Sequence, residues 1–225
     1  MTNLNLKAFG GFLGFFVATA ALLFIPAWTL DYWQAWVFLP VFFLPALAIT
    51  IYLMKKDPQL LAQRLHAGPT AEKETSQKII QFIMYIGFMA MLVVPALDHR
   101  FHWSCVSLCG VAAGDVLIVL ALLIIFFVYK ENTFASATIG IYPGQKVVST
   151  GLYALVRHPM YMGALLLFTG ISPSLGSWWG LLVYLLIMPA LVWRIYNEER
   201  FLTKNLPGYG EYKNRVRYRL MPFVW

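Results

Sequence analysis

Long apolar runs, each ended by charged or turn residues, constrain this chain more than any other feature. The chain is 60% hydrophobic and only 12% charged, whereas ordinary soluble domains are about 25% charged. A helix needs about 20 apolar residues to cross the hydrocarbon core of a bilayer. Runs of this kind occupy residues 8–30, 33–54, 79–97, 103–128 and 178–196. The sequence therefore predicts an all-α, polytopic membrane bundle.

The run at residues 160–171 is shorter, and Pro173 with Gly176 predicts a chain reversal after it. We therefore expect about five to six transmembrane helices, followed by a cytoplasmic helical region at the C-terminus. Residues 1–225 are expected to form a single membrane domain. Within it, residues 1–128 hold four N-terminal transmembrane helices, and residues 129–225 hold most of the polar motifs.

Basic residues lie at the ends of the apolar runs. If the N-terminus faces the cytoplasm, all but one of the 17 Lys and Arg residues fall on that side, and only Arg100 lies outside. This is the positive-inside pattern of multi-pass membrane proteins, with both termini cytoplasmic. The same distribution argues against nucleic acid as the partner of the net charge of +7.

Three residues inside the fourth apolar run raise separate questions. Cys105 and Cys109 lie one helical turn apart, without the further ligands that a metal site needs, and we expect small packing residues there. No metal is predicted. Asp115 is costly within a membrane span and is therefore a candidate for function. It could instead lie nearer the outer edge or bond to a neighbouring helix.

Two pairs of glycines have the spacing that allows close contact between membrane helices. Gly10 and Gly14 lie in the first run, and Gly110 and Gly114 lie in the fourth. The first pair makes a dimer conceivable, but the oligomeric state is left open.

The tripeptide Arg157-His158-Pro159 predicts a helix start. Proline suits the first helical position, which makes His158 the N-cap. The free N–H groups of that turn favour an anion, and Arg157 adds a positive charge beside them. The alternative is an arginine that reaches lipid headgroups and a histidine that only caps a helix.

Arg194 and Glu198 are four residues apart at the end of the last apolar run, so they share a helix face. They could form a simple intrahelical ion pair. The functional alternative is that Arg194 holds a carboxylate substrate while Glu198 faces a cationic cofactor. Glu199, Arg200 and Lys204 are expected on a solvated face.

The tail at residues 209–219 mixes tyrosines with Lys and Arg, which suits an anionic membrane surface. Its Gly208-Tyr209-Gly210 lacks the strand-turn-helix unit of a Rossmann nucleotide fold.

Three blocks of the C-terminal half resemble the isoprenylcysteine carboxyl methyltransferase family. They are GLYALVRHPMYMG at residues 151–163, WRIYNEERFL at 193–202 and YGEYKNRV at 209–216, followed by Pro222. Their order and spacing match the family, and the match covers about residues 130–225. The family comprises integral membrane enzymes that transfer a methyl group from S-adenosylmethionine to the carboxylate of a prenylated cysteine. The phospholipid N-methyltransferases share the general plan.

The resemblance implies S-adenosylmethionine as cofactor, makes residues 129–225 the cofactor-binding catalytic half, and assigns the site residues. Arg194 would meet the substrate and Glu198 would contact the cofactor, and these two are the implied catalytic residues. Cofactor contacts are implied at Gln145, Lys146, Val147, Val148, Tyr153, His158, Pro159, Tyr161 and Glu198, with Tyr212 and Arg215 in a tail that closes over the cofactor. Thr138 stands near a place where some members carry an amide. The acidic run is only Glu198-Glu199, which leaves the acceptor open.

Methyl transfer from a sulfonium needs alignment and exclusion of water more than acid–base help when the acceptor is a carboxylate. The implied partners are a lipophilic or prenylated substrate and membrane lipids. An amine acceptor, as in phospholipid N-methylation, would need a base, and Glu198 is the nearest candidate. A sterol-reductase-like oxidoreductase and a non-enzymatic membrane protein remain as alternatives.

Overall fold

The computed structural model describes residues 3–225, and every regular element within that range is helical. The α-helices are α1 (Asn3–Ala27), α2 (Trp33–Lys56), α3 (Pro58–Leu65), α4 (Thr75–Phe101), α5 (Leu108–Glu131), α6 (Pro159–Ser174), α7 (Gly180–Asn205) and α8 (Tyr209–Arg215). Helices α1, α2, α4, α5 and α7 are long and apolar enough to cross a membrane. The predicted all-α, multi-span bundle is confirmed.

Helix α6 corresponds to the short apolar run at residues 160–171. Its 16 residues reach only about 24 Å at 1.5 Å per residue. The helix packs along α5, and α7 packs along α4. Between α6 and α7 the chain reverses at Gly176, whose φ of +77° favours glycine. The reversal predicted at Pro173 and Gly176 is confirmed.

Asp57 and Pro58 separate α2 from α3. Proline occupies the first turn of α3, and the Asp57 side chain accepts a hydrogen bond from the Leu60 backbone N–H at 2.9 Å. This is the usual N-cap arrangement. Helix α2 ends at Lys56, two residues beyond the apolar run at residues 33–54. Helix α3 itself was not predicted. It forms because Leu60 and Leu61 bury their side chains against the bundle.

The two glycine pairs behave differently. Gly114 lies against α6, and a Cβ atom there would stand 2.8 Å from the Gly170 carbonyl oxygen. A Cβ atom at Gly10 or Gly14 would meet nothing within 4 Å. Close contact between helices of this chain is therefore confirmed at Gly114 of the second pair, whereas both glycines of the first pair are exposed and make no such contact within the chain.

Replacing Gly114 with leucine should destabilise the bundle by about 1–3 kcal/mol or more, because α5 and α6 would have to separate. The matched change Gly10→Leu should shift stability by no more than about 0.5 kcal/mol. Thermal unfolding of both variants in detergent measures the difference. Equal unfolding temperatures would contradict the α5–α6 packing described above.

The remaining residues of interest in the fourth run lie at the end of the bundle where α5 begins. Cys105 and Cys109 are both exposed, so the expectation that they serve as small packing residues is wrong. Cys105 precedes α5, and neither side chain faces the core. Asp115 bonds to the Ser174 hydroxyl at the end of α6, which is the neighbouring-helix alternative.

The opposite end of the bundle holds most of the cations, and we call it the basic end. An apolar cluster there joins the start of α1, the end of α2, α3, the end of α5 and the start of α6. Lys55, Lys56, Arg64 and Lys130 all belong to these elements or flank them. The side of the membrane that this end faces stays a prediction.

Candidate active site at the basic end

A cavity of about 730 Å³ opens at the basic end, which is within the usual range of ligand pockets. Its polar part is lined by Asn132, Tyr153, His158, Tyr161 and Glu198. Its apolar part lies between α1, α4, α5 and α6 and is lined by Phe15, Met84, Tyr85, Phe88, Ile125, Ala164, Leu167 and Phe168. One cavity thus joins a polar compartment to an apolar one.

The tail of the chain completes the wall around the start of α6. The backbone N–H groups of Arg157 and His158 donate to the carbonyls of Tyr218 and Arg219, each at 2.9 Å. As predicted, His158 is the N-cap of α6 and Pro159 its first residue. The side chain of His158 does not cap the helix. The tail therefore fixes the backbone position of His158.

Glu199 is the buried acceptor for three basic side chains. Its Oε1 atom lies 2.6 Å from Arg157 Nε and 3.3 Å from His158 Nε2, and its Oε2 atom lies 3.1 Å from Arg219 Nε. The expectation that Glu199 belongs to a solvated face is wrong. Its partners come from two distant segments, and the folded tail covers that face of α7.

Arg157 is likewise held by several hydrogen bonds. Besides Glu199, its Nη1 atom donates to the carbonyls of Val216 and Arg217, each at 2.9 Å. The guanidinium therefore binds the tail, and the interpretation of Arg157 as an open anion site is not supported. Its charge is neutralised by Glu199, as expected for a buried ion pair.

Arg194 and Glu198 meet through a tyrosine rather than in a direct ion pair. The Tyr161 hydroxyl accepts from Arg194 Nε at 3.0 Å and donates to Glu198 Oε2 at 2.5 Å. The three residues come from α6 and α7 and all line the cavity. The shared helix face was predicted correctly, but the bridging hydroxyl requires the packing of α6 against α7.

The rest of the Arg194 guanidinium is also occupied. Nη1 donates to Gln77 Oε1 at 3.0 Å, and Nη2 donates to Glu72 Oε1 at 2.9 Å and to the Ala137 carbonyl at 3.0 Å. With the bond to Tyr161 this makes four hydrogen bonds, against five N–H groups in an arginine side chain. Only one N–H group is left, so a substrate carboxylate could not bind Arg194 through two N–H groups at once.

The irregular segment at residues 132–148 forms another wall of the cavity. Its carbonyls are held by side chains from three elements. Arg64 Nη1 donates to Ser136 O at 3.2 Å, and Gln81 Nε2 donates to Ala137 O at 3.2 Å. Buried backbone without regular structure needs such partners. Thr138 bonds to the hydroxyl of Tyr142 within the segment.

Two tyrosines stand where this segment meets the tail. Tyr153 accepts from Asn132 Nδ2 at 2.9 Å, and the Tyr212 hydroxyl donates to the Tyr153 carbonyl at 2.8 Å. Burial raises the pKa of Tyr153 above its usual value and that of Tyr212 to about 12. Both hydroxyls are therefore protonated at neutral pH. The Tyr153 hydroxyl can donate to a ligand, whereas the Tyr212 hydroxyl already donates to the Tyr153 carbonyl.

The structure gathers nearly all of the sequence-predicted site residues around one cavity. The residues that line it are Gln145, Lys146, Val147, Val148, Tyr153, His158, Pro159, Tyr161, Arg194, Glu198 and Tyr212. Arg215 is exposed and does not line the cavity. Sequence reasoning missed Glu72 and Gln77 behind Arg194, and Asn132 and Tyr209 in the wall.

Comparison with protein families gives a match over part of the chain. Residues 109–208 match the model of the phospholipid methyltransferase family. That family is part of the isoprenylcysteine carboxyl methyltransferase-like group of membrane methyltransferases. The matched stretch is 100 of the 225 residues and contains His158, Tyr161, Arg194 and Glu198. The resemblance noted in the sequence is thereby confirmed.

The family match also supports a membrane location for the protein. A membrane methyltransferase with five helices that could span a bilayer is a multi-pass membrane protein. Its outer faces are strongly apolar; Leu186, for example, is 78% exposed and suits contact with lipid. The first 108 residues, which include Glu72, lie outside the matched stretch.

Proposed function

We propose that this protein transfers a methyl group from S-adenosylmethionine to a lipophilic acceptor at the basic end of the bundle. The observation that carries the proposal is the continuity of the cavity. Motif residues line its polar part, and side chains from four helices line its apolar part. A polar cofactor and an apolar acceptor could thus meet within one enclosure.

The polar part fits the cofactor chemically. S-adenosylmethionine, when bound, supplies an electrophilic methyl group on a cationic sulfonium. Glu198 supplies a carboxylate that offsets positive charge in the cavity, while Tyr153 and Tyr212 supply protonated hydroxyls. Residues 145–148 and Tyr209 also line this part of the cavity. These residues would hold the cofactor.

The apolar part would hold the tail of the acceptor. Phe15, Phe88 and Phe168 lie on three different helices and surround this part of the cavity. Residues on these helices exclude water from the reacting groups, and the fixed walls align them. Alignment of two reactants can lower a barrier by several kcal/mol, up to about 7–11 kcal/mol in the best cases. No acid–base step is needed if the acceptor is already an anion.

The resemblance makes the carboxylate of an isoprenylcysteine-like molecule the first candidate acceptor group. In the present arrangement Arg194 could offer it one N–H group, because Glu72, Gln77, Ala137 and Tyr161 take the others. A single charge-assisted hydrogen bond would orient such a carboxylate less strictly than the bidentate grip expected from the sequence.

The second candidate acceptor is the amine of a phospholipid, and the charges near Arg194 favour it. Glu72 neutralises Arg194, and Glu198 bonds only to a neutral tyrosine among the contacts described. Glu198 is therefore in no ion pair among the contacts described, although Lys146 and Arg64 also line the cavity. Glu198 could accept a proton from an ammonium group before the amine nitrogen attacks.

A methyl-transfer assay tests the proposal and separates the two acceptors. The detergent-purified protein is incubated with S-adenosylmethionine labelled in its methyl group and with mixed phospholipids or prenylated thioether acids. Label in a base-labile ester identifies a carboxylate acceptor, and base-stable label in phospholipid identifies an amine. Transfer to neither class, together with turnover of a nicotinamide cofactor, would favour the reductase alternative and contradict the proposal.

A further inference from the structure

Glu72 is the residue outside the matched stretch that is most closely tied to the site. It lies in the connection between α3 and α4, and no sequence motif marks it. Its side chain is only 1% exposed, and its Oε1 atom lies 2.9 Å from Arg194 Nη2. A carboxylate this deeply buried requires a charged or hydrogen-bonded partner. Arg194 is that partner.

The same carboxylate also holds the irregular segment over the cavity. Its Oε2 atom accepts from the backbone N–H of Ile139 at 3.3 Å, and its Oε1 atom accepts from Gln81 Nε2 at 3.4 Å. Gln81 and Arg194 in turn both donate to the Ala137 carbonyl. Glu72 thus links α4, α7 and residues 137–139 through a single side chain.

The direction of the Arg194 side chain depends on this link. Nη2 is fixed by Glu72 and Nη1 by Gln77, so the planar guanidinium can point its Nε–H at the Tyr161 hydroxyl. That hydroxyl in turn donates to Glu198. A continuous chain of hydrogen bonds therefore runs from Glu72 to the carboxylate inside the cavity.

We propose that Glu72 is a positioning residue for the methyl transfer. It fixes Arg194, and through Arg194 it keeps the Tyr161 hydroxyl on Glu198 and residues 137–139 over the cavity. This inference rests on the proposed function. It means that the N-terminal half, outside the matched stretch, determines the geometry of the site. Glu72 itself does not line the cavity and does not touch the reacting groups.

The variant Glu72→Gln tests the proposal with little change in shape. Its amide keeps one acceptor oxygen but loses the charge that fixes Arg194. We expect kcat to fall about 10–100-fold, since small displacements of a positioned group have effects of this size. The dissociation constant for S-adenosylmethionine should change less than about threefold. The hydrogen bonds described for Glu72 reach Gln81, Ile139 and Arg194 and none of the residues proposed to hold the cofactor, and Glu198 keeps its charge in this variant.

Two further variants sharpen the result. Glu74→Gln makes the same chemical change two residues away at an exposed position, and kcat should be unaffected. Glu72→Asp keeps the charge on a shorter side chain and should restore part of the activity lost in Glu72→Gln. Thermal unfolding in detergent, measured for each variant, shows how much of any effect is loss of folded protein.

Three outcomes would overturn the positioning role while leaving the proposed function intact. The first is unchanged kcat in Glu72→Gln with an active wild-type protein. The second is a higher kcat or a lower KM for an acidic acceptor, because Glu72 would then compete with that acceptor for Arg194. The third is a parallel fall of kcat, cofactor affinity and unfolding temperature, which indicates structural support alone. Failure of the wild-type protein to transfer methyl groups would instead overturn the proposed function.

Discussion

Replacing Arg194 with alanine is expected to abolish methyl transfer, with a loss of about 10²–10³-fold or more in kcat. Arg194 donates to the Tyr161 hydroxyl and to the Ala137 carbonyl, so the change releases both the hydroxyl and the wall segment. It also removes the cation nearest to Glu198 in the Tyr161-linked chain. Labelled methyl transfer under saturating cofactor and acceptor measures the loss.

The same change should destabilise the protein, which has to be separated from the loss of activity. Glu72 would remain buried without a charged partner, and breaking a buried ion pair costs about 3–5 kcal/mol. The double variant Glu72→Ala/Arg194→Ala should recover much of that stability but none of the activity. Arg200→Ala, at an exposed position of the same helix, should retain both. Wild-type turnover in Arg194→Ala would contradict this account of the site.

Glu198→Gln is expected to weaken binding of S-adenosylmethionine by about 10–100-fold. The amide keeps the shape and can still accept from Tyr161, but it loses the charge that offsets a cationic ligand. A hydrogen bond to a charged group contributes about 1.5–3 kcal/mol, and each 1.4 kcal/mol is a factor of about ten. Calorimetric titration of the purified variant measures the change in affinity.

The control for this prediction is Glu211→Gln, an exposed acid on α8. Its cofactor affinity should equal that of the wild-type protein. The demethylated product lacks the positive charge on sulfur, so Glu198→Gln should weaken its binding less than that of S-adenosylmethionine. Equal weakening of both ligands would show that Glu198 does not act through the sulfonium.

The sequence was sufficient to predict the long apolar helices and the meeting of the motifs. Apolar runs report the length of each span, and Pro159 marks the start of α6 by its local chemistry. Residues His158, Tyr161 and Glu198 were placed together by the resemblance, and the structure brings them to one cavity. Each of these signals is local or is carried by a motif.

Contacts between distant segments could not be predicted in the same way. Glu199 is adjacent to Glu198 in sequence, but consecutive residues on a helix point about 100° apart. Its partners Arg157 and Arg219 reach it only because the tail folds back. Glu72 lies in the connection at residues 66–74, which shows no hydrophobic periodicity, so nothing in the sequence links it to Arg194.

The glycine and cysteine predictions failed for a related reason. An all-apolar membrane helix has no polar face to show which side meets its neighbours. The sequence therefore could not distinguish Gly114, which touches α6, from Gly10, which faces outward. For the same reason, the sequence could not show that Cys109 faces outward. Only the packed bundle shows which residues lie between helices.

Calorimetric titration of the purified wild-type protein in detergent with S-adenosylmethionine tests whether this cavity is a methyltransferase site. We expect saturable binding of one cofactor per chain, binding of the demethylated product to the same site, and weakened binding of the cofactor in Glu198→Gln. Absence of binding of both S-adenosylmethionine and its demethylated product to folded wild-type protein would contradict the assignment of this cavity as a methyltransferase site.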